Sequence, residues 1–240
     1  MNPNQAFKKL RIFAASPSDV ASERAKLENV VGMLKPLADY IGLSVEVVDW
    51  HKVVPDMGRP QQVIFDKLQP TTWDVFIGIL WHRFGTPPGG KDPQTQKEYL
   101  SGTEEEFRTA FRLWEQFKKP RIMMYRCTRQ VDLNAIDFDQ ARKVQGFFAQ
   151  FDAIKGEHPG LYQAFDSTEA FEKLCWIICK SFCWNIAKRK KAARFPLKRC
   201  KRWRLRCPIT CRVALRFSDA LRKWKRCCKR SAPKSAAGAW

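Results

Sequence analysis

The run Trp73-Asp-Val-Phe-Ile-Gly-Ile-Leu80 is apolar at almost every position. A strand apolar on both faces has to be covered on both, the condition of a central strand in a parallel sheet flanked by helices. Its neighbours repeat the demand. Lys9–Ala15 reads as a buried strand and Ser44–Asp49 as a second, with a helix to Tyr40 between them. Leu27, Val30, Val31, Leu34 and Leu37 line one face of that helix. Gln61–Leu68 reads as a short helix before the central run, and Glu104–Phe117 as an amphipathic helix after it. Arg121–Tyr125 and Leu161–Phe165 read as strands, Phe138–Ile154 and Thr168–Lys188 as helices.

Strand and helix therefore alternate five times. The expected fold is α/β, a doubly wound, flavodoxin-like five-stranded parallel sheet in the order 2-1-3-4-5. Ligands in such sheets bind beyond the carboxyl ends of the strands, near strands one and three. That directs attention to the loops Ser16–Asp19, His51–Pro60 and Trp81–Thr103. The last is long for a connection without structure of its own, which marks it as functional or mobile.

Charge divides the chain. Residues 188–240 hold 20 of its 44 Lys and Arg beside one acid, Asp219. Residues 1–187 keep 24 basic and 23 acidic residues, so +19 of the chain's net +20 belongs to the tail. The expected organisation is an α/β domain over 1–187 and a basic extension over 188–240. Three readings of the extension stay open: a nucleic-acid or anionic-membrane anchor, a solvated extension, or translation in a shifted reading frame. No apolar run approaches the roughly 20 residues of a membrane span. The first residues lack the apolar block of a secretory leader. The expected location is therefore the cytoplasm, where thiols stay reduced. Cys175, Cys179 and Cys183, four apart, suit one side of a helix better than a metal site. No metal centre is expected.

The chemistry-bearing residues cluster at the loops named above. Ser101-Gly-Thr-Glu-Glu-Glu-Phe-Arg-Thr-Ala110 opens the helix after the long loop. Thr103 is placed as its N-cap, with Glu106 three residues on as in a capping box. Glu104 and Glu105 suit the positive end of the helix dipole. Glu106 differs, because the i, i+4, i+7, i+11 spacing puts it on the face of Ala110, Leu113 and Phe117. A carboxylate aimed at the sheet edge is a candidate acid, base or ribose-hydroxyl acceptor. After the central strand, Trp81 could stack on a base, Arg83 meet a phosphate, and Gly85 admit close backbone approach. Ser16, Ser18 and Asp19 lie at the first switch-point loop, where hydroxyls and amides could cradle an anion.

Together these segments resemble the TIR-like domains of bacterial signalling and defence proteins, near a family of N-terminal domains fused to STAND-type NTPases. The resemblance spans roughly residues 8–187. It rests on RIFAASPSDVASERAKL, on WDVFIGILWHRFGTP and on SGTEEEFRTA. It implies cleavage of the N-glycosidic bond of NAD or a related nucleotide, with Glu106 on the ribose side and no further cofactor. It also implies homo-oligomerisation and an NTPase module as partner. The departures are Gly102-Thr103, where many TIR domains carry Trp-Cys before the glutamate, and a loop VVPDMGRPQ only loosely like its TIR counterpart. Many TIR domains are non-catalytic adaptors, so a nucleotide-sensing or self-association module is the alternative.

Overall fold

The computed structural model describes residues 8–180, apart from 51–52, 55, 152–155, 157, 159 and 178–179. The basic extension and the cysteines beyond Cys175 lie outside the described residues. Five parallel strands form one sheet in the order β2-β1-β3-β4-β5. They are β1 (Lys8–Ala15), β2 (Leu43–Val48), β3 (Val75–Leu80), β4 (Arg121–Cys127) and β5 (Tyr162–Phe165). The helices are α1 (Ala21–Tyr40), α2 (Pro60–Leu68), α3 (Gly102–Phe117) and α4 (Phe138–Ala149), and residues 168–177 are also helical. The expected α/β class and strand order hold. No helix among the described residues is long and apolar enough to cross a membrane.

Every residue of β3 is buried. Alternate side chains feed two separate cores. Val75, Ile77 and Ile79 join Leu27, Val30 and Leu34 of α1 and Phe171 on one face. Phe76 and Leu80 join Phe107 of α3 and Val144, Phe147 and Phe148 of α4 on the other. Gly78 has a specific reason. A β-carbon there would lie 2.5 Å from the Met124 sulfur, so the missing side chain makes room for the methionine next door. Phe13 stacks on Trp73 with centroids 3.9 Å apart, closing the second core where β1 meets β3.

Several boundaries shift from expectation. After β1 the chain makes a 3-10 turn at Ser18–Val20, and α1 begins at Ala21 with no side-chain cap bond. Helix α4 stops at Ala149 rather than Ile154. Phe117, expected on the inner stripe of α3, is exposed. The loop after β3 is organised. Lys91 bridges to Glu98, Asp92 accepts the amides of Gln94 and Thr95, and Arg112 of α3 grips Asp92 at 3.0 Å.

Candidate functional site

The first turn of α3 carries the site, and its cap differs from expectation. Ser101, in extended conformation, accepts the Glu104 amide at 3.0 Å and is the N-cap in place of Thr103. Capping starts two residues earlier because Gly102 and Thr103 already belong to the helix. Glu104 then takes the reciprocal role, accepting the amide of Leu100, and pairs with Arg108 at 3.1 Å. Glu105, read from sequence as a dipole residue, is also buried. It holds Arg59 through two bonds of 2.6 and 2.8 Å. Such a fork fixes orientation as well as charge.

Glu106 is 4% exposed. The Gln61 side-chain amide donates to its Oε1 at 2.8 Å. Burial pushes the carboxyl up from 4.5 to about 8, with the Gln61 bond opposing, the Glu105 charge adding and Arg24 opposing. At neutral pH the group therefore keeps its proton in the folded chain. Gln61 approaches so closely because position 102 is glycine. A β-carbon there would lie 2.8 Å from the Gln61 carbonyl oxygen.

Arg24 of α1 links Glu106 to the loop after β1. Burial lowers its proton affinity, while Asp49, Asp19 and Glu106 raise it. Its Nη1 donates to the Ser16 hydroxyl at 2.5 Å and to the Ser16 and Pro17 carbonyls. The Ser16 side chain is therefore turned inward on Arg24, and Ser18 stays exposed at the turn. Asp19 ties the two switch-point loops together. Its Oδ2 accepts the amides of His82 at 3.2 Å and Arg83 at 3.0 Å. Its Oδ1 is buried without a partner among the described residues.

The residues after β3 separate. Trp81 packs against the core on the α1 face, donates its indole N–H to the Arg129 carbonyl at 2.9 Å, and carries the Arg129 guanidinium over its ring at 4.3 Å. Trp81 and Glu106 share no partner. Arg83 is exposed, with no carboxylate partner among the described residues. Gly85 takes φ +103°, and its amide, like that of Phe84, donates to Oε1 of Gln140 on α4. Arg24 thus links Glu106 to both Ser16 and Asp19. Asp19 in turn holds the Arg83 amide, while the Trp81 indole and the Gly85 amide bond to Arg129 and Gln140.

Sequence reasoning missed Gln61, Arg59 and the role of Arg24. It also missed a fully buried acid, Glu23, held by Arg129 at 3.0 Å, by Thr168 at 3.1 Å and by Ser22 at 2.8 Å. One signal was available for Gln61: it follows Pro60 in the first turn of a helix leaving a switch-point loop. Among the described residues no group of His, Cys, Asp or Glu is placed to hold a metal ion. A family model described as a domain of unknown function, DUF4062, matches residues 11–175. No curated protein matches the sequence.

Proposed function

The chain belongs to the DUF4062 family, and from that premise we propose that its α/β domain hydrolyses the N-glycosidic bond of NAD or a related nucleotide. One observation carries the reading. Glu106 is a desolvated carboxyl, with its proton affinity raised to about 8, at the β1–β3 switch point of a doubly wound sheet. Buried carboxyls of this kind are typical of acid–base sites, and the switch point is where such sheets hold nucleotides. The resemblance to TIR-like signalling and defence domains supports the same chemistry.

In the proposed step, water attacks C1′ of the ribose. The C1′–N bond breaks, and its electron pair leaves with neutral nicotinamide. The Glu106 carboxylate takes the proton of the water. Because the leaving group needs no proton, the ionised form of Glu106 is the active one. Nicotinamide release should then rise with pH and reach half its maximum near pH 8. Gln61 covers Glu106, so the first turn of α2 has to move aside for substrate.

The test is incubation of the chain with NAD under self-associating conditions. Nicotinamide release that is absent in Glu106→Gln is expected. No release from a confirmed assembly at any protein concentration sinks the enzyme reading. Closure of Gln61 over Glu106 favours a second reading, a non-catalytic nucleotide-sensing or self-association module partnered by an NTPase. It predicts NAD binding without turnover.

A further inference from the structure

A cavity of about 370 Å³ opens beyond the carboxyl ends of β3 and β4, away from Glu106. Trp81 and His82 line it from the loop after β3, Arg126 from β4, and Phe138, Arg142 and Gln145 from α4. None of these is a partner of Glu106. The volume lies in the range of roughly 300–1,000 Å³ that small-molecule sites occupy.

Its chemistry is one-sided. Arg126 is half-buried in the sheet, resting over the Phe148 ring at 5.4 Å, with no carboxylate partner among the described residues. Holding a partly desolvated cation without a counter-charge is costly, and an anion in the cavity would relieve that cost. Arg142 adds a second cation, loosely held by Asp139 at 3.4 Å on the exposed side of α4. The Nδ1 atom of His82 is buried without a hydrogen-bond partner among the described residues, while Nε2 lies 3.8 Å from Asp19. Trp81 and Phe138 supply aromatic surface, and Phe138 is 62% exposed despite its size.

We propose that this cavity is a second site that binds a mononucleotide-sized aromatic anion. The anionic group sits on Arg126 and Arg142, and the ring lies against Trp81 and Phe138. Asp19 couples the site to the first switch-point loop, because it holds the backbone of His82 and Arg83 in place.

The experiment is calorimetric titration of the full chain with adenosine 5′-monophosphate, alongside adenosine and inorganic phosphate. The expected result is saturable one-to-one binding of the monophosphate, at least tenfold tighter than either fragment. Arg126→Gln should weaken it at least tenfold. Ala141→Trp, which fills the cavity from a half-exposed helix position without removing charge, should abolish it. Glu106→Gln should leave it unchanged, so this site stands or falls apart from the proposed glycohydrolase. If Arg126→Gln fails to fold by near-ultraviolet circular dichroism, Ala141→Trp decides alone. Absence of saturable binding overturns the assignment. So does binding that survives the cavity-filling variant, which would assign the anion to the switch point beside Glu106 or to residues 188–240 instead.

Discussion

Replacing Glu106 by glutamine should stabilise this protein, and the gain should depend on pH in a calculable way. In the unfolded chain the carboxyl ionises near its ordinary value of 4.5, and in the folded chain near 8. Between those values the unfolded state has released a proton that the folded state retains. Stability contributed by this residue therefore falls as pH rises through the window. At about 1.4 kcal/mol per pH unit, the burden is near zero below pH 4.5. It reaches about 3 kcal/mol at pH 7 and about 5 kcal/mol above pH 8. Glutamine is neutral throughout and keeps an oxygen for the Gln61 amide, so Glu106→Gln removes the burden without opening a cavity. Urea denaturation of both proteins at pH 5, 6, 7 and 8 reads the difference directly, and features common to both cancel. The variant should gain on the parent by roughly 1 kcal/mol for each pH unit between 5 and 8. A difference flat across that range refutes the reasoning, because Glu106 would then be ionised inside the fold.

Three further perturbations probe the same region. Gly102→Ala should push Glu106 above its value near 8, because the new β-carbon displaces Gln61, whose hydrogen bond favours the ionised form. Carbon-detected NMR titration of the side-chain carboxyl would report it, and an unmoved midpoint would show that Gln61 does not matter. Arg59→Ala leaves Glu105 buried and unpaired, and should cost about 3–5 kcal/mol, measured as a lower urea midpoint. A loss below about 1 kcal/mol would mean that Glu105 finds water instead. Trp81→Phe keeps a ring beneath Arg129 but orphans its carbonyl, with an expected loss of about 1–3 kcal/mol in the same assay.

The strand order was legible in the sequence because each piece of evidence for it is local. Apolar character on both faces of Trp73–Leu80 requires two covering layers, and helix periods on either side supply them. The position of Glu106 on the inner face of its helix was readable for the same reason. Its neighbours were not. Glu104 and Glu105 look like ordinary first-turn acids, yet both are buried, since the organised loop after β3 and the first turn of α2 close over them. Trp81 looked like a companion for Glu106. Alternation along β3 sends it to the α1 face of the sheet, while α3 lies on the other.

By itself, then, the sequence determined the α/β class, the crossover order and the loops at the carboxyl edge. Period and burial demand are properties of contiguous residues. Only the tertiary structure decided which groups meet there. Gln61 reaches Glu106 and Arg59 reaches Glu105 across more than forty residues, while Arg129 reaches Glu23 across more than a hundred. Those pairings depend on how successive βα units stack side by side, and it is that stacking that sets the desolvation of Glu106 and hence the proton it keeps.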